Sequence, residues 1–423
     1  MLTLLKLAFR NIFRFKRRTI ITFCSVSVGL ALLIITICLM NGIDKQSIGN
    51  IINCQTSHLK IFKAGYFAKK DEVPMNLTIS DPDRICALIK NIPGVAAVEG
   101  RVLFGAGLIM GMDELPCLGV AIEPELDPGL FNIKESLAEG EWLEPGDAKL
   151  LVGKNLAADI GLSVGDTVTL RMITSPDKED FSWNALDLEV KGIFESGNPA
   201  VDSGQVFIPL AQAQEALAMP SAATEIAVRL DSNDESKIAA VQRRIKEALK
   251  PGKEGLEVYT WKDLAGLFLA VSEMKTQRSA MIILIMLVIA SMGIINTMLM
   301  AVLERTREIG MLAALGMKKW EIMKLFIFEG GFIGVIGSLA GCILGGLVGW
   351  YLQVHGWSLA SMGESIKKMS AAVYPVKDVF YAEVTVDVLI MVFLLGTAIS
   401  ILASVYPAWK AARLNPVEAL RHI

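Results

Sequence analysis

Four runs of apolar residues, 20–40, 280–303, 325–352 and 386–406, carry almost no charge along the chain. A helix needs about 20 apolar residues to cross the hydrocarbon core of a bilayer, so the pattern predicts four transmembrane helices. The first run follows a basic cluster, as a secretory signal would. It is longer than a signal's apolar region and no small-x-small cleavage site follows it, so it reads as an anchor that stays.

Between the first two runs the period changes. An alternating stretch at Leu59-Lys60-Ile61 precedes a helical face of Ile85, Leu88, Ile89 and Ile92, and a strand is predicted from Val95, after Pro93-Gly94. Ser80 or Asp81 is the expected cap of that helix, with Pro82 in its first turn. The same order returns near the end of the segment. Glu225 to Leu230 alternates, Ile238, Val241, Ile245 and Leu249 form one helical face, and 256–261 resumes as strand.

Between these two β-α-β units, Val168, Leu170 and Met172 alternate with polar neighbours, as do Leu186, Leu188 and Val190. Short antiparallel strands are expected there, with turns at Val164-Gly165-Asp166 and Ser196-Gly197-Asn198-Pro199. The fold class is therefore an α-helical membrane protein with four transmembrane helices and a large α+β extracytoplasmic domain. In that domain a split, porter-like β-α-β unit receives a small β-rich subdomain at about 114–204. The segments run 1–19, 20–40, 41–278, 279–303, 304–324, 325–352, 353–385, 386–406 and 407–423.

Charge sets the orientation. Of the 423 residues 53% are hydrophobic and 20% charged, with a net charge of −3 that averages two compartments. Segments 1–19, 304–324 and 407–423 hold 14 Lys or Arg against four acidic residues, which places them in the cytoplasm. The 238 residues of 41–278 carry 24 basic and 35 acidic residues and are expected outside, the 353–385 loop with them. Nothing in this balance points to nucleic acid.

Catalytic chemistry is not visible. The nearest approach to a phosphate loop, 148–155, lacks the first glycine and the closing Ser or Thr, and there is neither H-E-x-x-H nor G-x-S-x-G. The acidic residues of the outside segment read as a solvated face. His58, His355 and His422 stand singly and build no metal site. Cys54, Cys86 and Cys117 would meet an oxidising compartment, where one disulfide or three thiols are both open.

Three features of the membrane part stand out. In segment 1–19, Lys6, Arg10, Arg14 and Arg17 oppose Leu5, Phe9, Ile12 and Phe13, a pattern that suits either an interfacial helix or a plain topogenic cluster. In the third run Gly337, Gly341, Gly345 and Gly349 make an i, i+4 ridge for close helix packing, with an intrachain partner the expected one. Glu329 lies a turn into that run, where an ionisable group is a candidate for transport chemistry, but Lys324 is within reach to pair with it or to snorkel, so a structural role is expected.

The connection 304–322, ERTREIGMLAALGMKKWEI, holds seven charges between two apolar runs. Glu304, Arg305, Arg307 and Glu308 should leave the second span as charged helix. Ile309 to Leu315, Gly310 included, supply an apolar patch. Gly316 breaks the run, and Lys318 and Lys319 restart a helix. Such a knob combines apolar, aromatic and charged groups on the inner face, which a passive loop does not need.

That stretch closely resembles the segment after the second span in the FtsX/MacB/LolC-LolE superfamily of ABC transporter permeases. The tail Tyr406-Pro407-Ala408-Trp409-Lys410-Ala411-Ala412-Arg413-Leu414-Asn415-Pro416-Val417-Glu418-Ala419-Leu420-Arg421 is similar to that family's C-terminal signature. Arg10-Asn11-Ile12-Phe13-Arg14 and Thr56-Ser57-His58-Leu59-Lys60-Ile61 look most like the LolC/LolE-type branch. The resemblance implies a non-catalytic subunit of the bacterial inner membrane with both termini cytoplasmic. Its connection 304–324 would be the coupling helix, seated in a separate LolD-like ATPase. That ATPase, unlike the fused one of MacB, would bind ATP and Mg; this chain would hold no cofactor. It further implies a second permease subunit, like or unlike, and a lipoprotein cargo passed to a periplasmic carrier. MacB-like export and FtsX-like activation of a periplasmic hydrolase are the alternatives.

Overall fold

The computed structural model describes residues 2–14, 16–173, 183–250, 255–358 and 379–415. The tail motif beyond Asn415, His422 and most of the 353–385 loop lie outside them. Two compact units are formed: a helical one, which holds the described residues up to Asp44, from Val271 to Ser358 and from Val379 onward, and an α+β one from Lys45 to Ala270.

The chain opens with α1 (Leu2–Arg14) and α2 (Lys16–Ile51), which ends in a π-turn at Ile52–Thr56. In the α+β unit β1 (Leu59–Lys63), β2 (Ile79–Ser80), α3 (Pro82–Lys90), β3 (Val95–Met110) and β4 (Asp113–Ile122) follow, then β5 (Leu137–Gly140) and β6 (Lys149–Gly153). Next come α4 (Lys154–Ile160), β7 (Thr167–Ile173), β8 (Trp183–Phe194), α5 (Pro199–Asp202), β9 (Gln205–Pro209), α6 (Leu210–Ala216) and β10 (Ala222–Ala223). The unit closes with β11 (Glu225–Leu230), α7 (Glu235–Leu249), β12 (Leu256–Thr260) and α8 (Trp261–Leu264).

The two β-α-β repeats interleave. Strand order β12-β1-β11-β3, antiparallel throughout, places β11 between β1 and β3, and β1 between β11 and β12. This is the split β-α-β arrangement. Ile89 of α3 and Ile238, Val241 and Ile245 of α7 pack on Leu59, Ile61, Ile226, Val228 and Val258 of that sheet. Asp81 stands at the N-cap of α3 as expected but does not cap it: its backbone is left-handed (φ 53°) instead of the extended form usual for a cap, and no side-chain cap hydrogen bond forms.

β3 is long enough to serve two layers. Its first half pairs with β11, and Val102–Met110 pair with β4 while Ala106–Ile109 also pair with β7. β4 pairs with β9, β9 with β6, β6 with β8 and β8 with β7, which closes a six-stranded ring. Val102, Phe104, Ala106 and Leu108 alternate into its interior against Val168, Leu170, Met172, Leu188 and Val190. Closure removes the exposed strand edges that an open sheet would present. The expected antiparallel β7–β8 pair is present, but β4–β9 and β6–β8 are parallel, and the ring draws on β3 and β9 outside the expected 114–204.

The helical unit adds α9 (Gly266–Glu304), α10 (Thr306–Ala314), α11 (Lys319–His355), the short β13 (Trp357–Ser358) and β14 (Val379–Phe380), and α12 (Val386–Ala412). Among the described residues, α2, α9, α11 and α12 are the four helices long and apolar enough to cross a membrane. At 36 and 39 residues, α2 and α9 continue as helix well past the ends of their apolar runs.

The glycine ridge of α11 lies against α2 in the same chain. A Cβ on Gly337 would come 2.9 Å from Val26 Cγ1, one on Gly341 2.9 Å from Leu30 Cβ, and one on Gly345 2.9 Å from Ile34 Cβ. Gly349 faces Val384 and Cys38. On another side of α11, Gly330 and Gly334 receive Ser404 and Ser400 of α12. Lipid offers no hydrophobic drive between helices, so such backbone approach is what holds the bundle. α9 is the least enclosed of the four helices, with Met281, Leu284, Ile285, Val288 and Met292 exposed while Ile294, Met298 and Val302 are buried.

Candidate functional site: the elbow between the second and third spans

α9 stops at Glu304 because Arg305 leaves helical geometry (φ −109°, ψ 18°), and α10 starts one residue later. The charged residues 304–308 are thus split by a bend. α10 ends in a Schellman motif: Met317 N–H donates to Leu312 O at 3.0 Å and Gly316 N–H to Ala313 O at 3.1 Å. The motif needs a left-handed residue, which Gly316 supplies with φ +94°. Two residues on, Glu321 reaches back to the Lys318 N–H at 2.9 Å and starts α11. The turn between α10 and α11 is thus fixed by hydrogen bonds on both sides, whereas Arg305, at the start of α10, makes no side-chain capping hydrogen bond.

Its surface is mixed. Leu315 is 86% and Trp320 58% exposed, and Met311, four residues before Leu315 and so on the same side of the helical turn, is exposed as well. Glu304, Arg307, Lys318 and Lys319 are exposed too. The apolar patch is divided, since Ile309 and Gly310 turn inward.

Arg305 does not belong to that surface. It is only 4% exposed; its Nη1 donates to Glu329 Oε2 at 3.0 Å and its Nε to Glu308 Oε2 at 3.1 Å, and its guanidinium stands over the Phe326 ring. Glu329, fully buried, is paired with this arginine instead of Lys324, whose ammonium lies over Trp320. The reason is angular: at 3.6 residues per turn, positions five apart diverge by about 140° around a helix. Glu308 also accepts from Arg14 Nη2 at 3.0 Å, and Phe9 meets Phe332 edge-on at 5.7 Å, so α1 packs beside the elbow. Sequence spacing could not reveal these links, because Arg14, Arg305 and Glu329 are far apart in the chain.

The α+β unit holds no alternative centre among the described residues. No group of three His, Cys, Asp or Glu there could hold a metal ion. His58 is a packing residue: its Nε2 meets Asn233 Oδ1 at 2.6 Å and its Nδ1 accepts the Leu230 N–H; burial, with the nearby Arg229 charge, holds its pKa below the usual value against the pull of the Asn233 hydrogen bond. His355 stacks on Tyr351. Cys86 and Cys117 are free thiols, pushed up to about 12 by burial, and make no disulfide with Cys54 or with each other.

One group of acidic residues is not a solvated face. Lys60 and Glu225 form a buried pair at 2.7 Å, and Arg101 lies between Glu99 and Asp127 with its guanidinium over Phe131. Each carboxylate there faces a cation, which offsets the cost of burial. Burial nonetheless pushes Glu99 up to about 7 against the pull of Arg101.

Comparison with known proteins gives this geometry its setting. The family described as MacB-like periplasmic core domain matches residues 19–248, and that described as FtsX-like permease C-terminal matches 280–416, the elbow included. The lipoprotein-releasing system transmembrane protein LolC of Xylella fastidiosa is 27% identical over 418 residues, spanning 94% of this chain and 92% of LolC. LolE of Haemophilus influenzae is 25% identical over 93% of this chain. The macrolide export ATP-binding/permease protein MacB of Acinetobacter baylyi is 23% identical over 96% of this chain, which spans 57% of MacB. Among solved structures, the periplasmic region of MacB from Actinobacillus actinomycetemcomitans covers 52% of this chain at 14% identity and a TM-score of 0.38. With one family matched over more than half of its length and the other over the remaining spans, the chain belongs to the FtsX-like ABC transporter permeases that carry a MacB-like periplasmic core domain.

Proposed function

We propose that this chain is the membrane subunit of a mechanotransmitting ABC transporter of the bacterial inner membrane, with both termini in the cytoplasm. Its elbow, 304–324, is the coupling element. Met311, Leu315 and Trp320 enter a groove of a LolD-like ATPase, and Lys318 and Lys319 meet an acidic rim. ATP and Mg bind on that partner, and the closure of two ATPase subunits drives two permease chains, like or unlike. To swing such a two-state element from 1:99 to 99:1, ATP must favour one state by about 5.5 kcal/mol. The observation that carries the reading is the elbow itself, a short helix closed by a hydrogen-bonded turn, with exposed apolar residues, between two spans.

The cargo we propose is lipoprotein, handed to a periplasmic carrier. In support, relatives named as lipoprotein-releasing proteins align over nearly the full length, and the outward half of α9 leaves Met281, Leu284, Ile285 and Val288 open to acyl chains arriving from lipid. Methionine adapts to varied apolar partners. MacB-like export is the second reading, favoured by the equally broad alignment with MacB. Photo-crosslinkers at positions 281, 284 and 288 decide between them. Capture of acylated protein supports release, and capture only of a small hydrophobic compound or of a soluble hydrolase contradicts it.

A further inference from the structure

The buried charges at the elbow do more than cancel. A single guanidinium, that of Arg305 at the bend between α9 and α10, binds carboxylates from two helices, Glu308 of α10 and Glu329 of α11. Glu308 also meets Arg14 of α1 at 3.0 Å in a pair at the surface, Arg14 being 64% exposed, and Phe9 of α1 packs edge-on against Phe332 of α11. Three helices, α1, α10 and α11, and the bend between α9 and α10 thus meet through one run of ion pairs, Arg14–Glu308–Arg305–Glu329. A buried ion pair is a poor source of stability, since well-packed apolar residues of the same volume serve as well or better. Its distinctive property is direction: the planar fork of Arg fixes both the distance and the plane of the groups that it joins.

We propose that this run is a brace that sets the angle of the α10 knob to the α11 span, with Arg305 as a positioning residue and α1 as part of the coupling element. The inference rests on the coupling role proposed above. Without the brace the knob can seat in its partner, yet the bend at Arg305 yields, and motion of the knob is lost before it reaches α11. The surface of the knob is untouched by changes at 305 and 329, so binding and coupling separate.

The test uses the full chain in nanodiscs and three variants. Glu329→Gln removes one arm, Arg305→Lys keeps the charge but not the fork, and the double variant Arg305→Met, Glu329→Leu removes both charges while keeping bulk. Spin labels at the exposed positions 314 and 339, in a cysteine-free background, report the knob-to-span distance, while release and ATPase affinity are read on the unlabelled chain. In the native chain a narrow distribution is expected, broadened in all three variants. With the partner ATPase added, cargo release per ATP should fall about tenfold while the dissociation constant for the ATPase stays within about threefold. An unbroadened distribution in the double variant overturns the brace. Native release per ATP in the double variant overturns it as well, for the pair would then only neutralise two charges. Should the native chain show a narrow distribution but no ATP-driven release with any ATPase, the brace stands and the transport reading fails.

Discussion

Gly341 of α11 lies so close to Ser27 of α2 that a Cβ added to it would sit 3.0 Å from the Ser27 carbonyl oxygen, a backbone atom that cannot swing aside. Gly341→Leu should therefore part the two helices and destabilise the helical unit by about 1–3 kcal/mol, the usual cost of overpacking. Gly331 on the same helix would meet only Ile401 at 3.5 Å, an ordinary contact, so Gly331→Ala should be neutral. Thermal unfolding of the two variants in detergent checks the contrast.

At the elbow, Gly316→Asn should be tolerated, because Asn enters the left-handed region at little cost. Gly316→Pro cannot adopt φ +94° and also loses the N–H that donates to Ala313 O. The Pro variant should insert normally but lose ATPase binding, whereas the Asn variant keeps it, as measured by co-purification.

Much of this architecture can be read from the sequence, because half-buried elements announce their period. Val168, Leu170 and Met172 alternate into the barrel, and Ile238, Val241 and Ile245 repeat at helical spacing because each faces a core. What escapes is set by distant partners. The parallel pairing of β4 with β9 follows from chain connections that no local period records. α2 and α9 outrun their apolar stretches because a helix needs no apolar residues once it leaves lipid. At the site, the charges of 304–308 look alike in sequence, yet Arg305 turns inward and Arg307 outward. Only the fold supplies the reason, a carboxylate at Glu329 on the neighbouring helix.

The buried group on β3 gives a pH signature. Burial raises Glu99 from 4.5 to about 7, so between those values the folded chain holds a proton that the unfolded chain releases. Stability of the α+β unit should then fall as pH rises from about 4.5 to 7, and Glu99→Gln should flatten that slope. Urea unfolding followed by tryptophan fluorescence across this range reads it.

Lys60 and Glu225 predict a larger effect. Glu225→Gln leaves the Lys60 ammonium buried beside a neutral amide, with a cost of about 3–5 kcal/mol. Joint replacement by Lys60→Met and Glu225→Leu should recover most of that loss in the same unfolding assay.

The central claim is that the exposed tip of the elbow is where an ATPase engages this chain. Its most direct measurement is the affinity of the full chain in nanodiscs for ATPases of the same cell, compared between the native chain and Leu315→Asp, which changes only the 86% exposed tip residue. The account predicts that one ATPase with a Walker motif binds the native chain, one per permease. It also predicts that Leu315→Asp weakens binding by about 2 kcal/mol or more, as for a central apolar anchor, with insertion unchanged. Equal affinity for the two chains would contradict it.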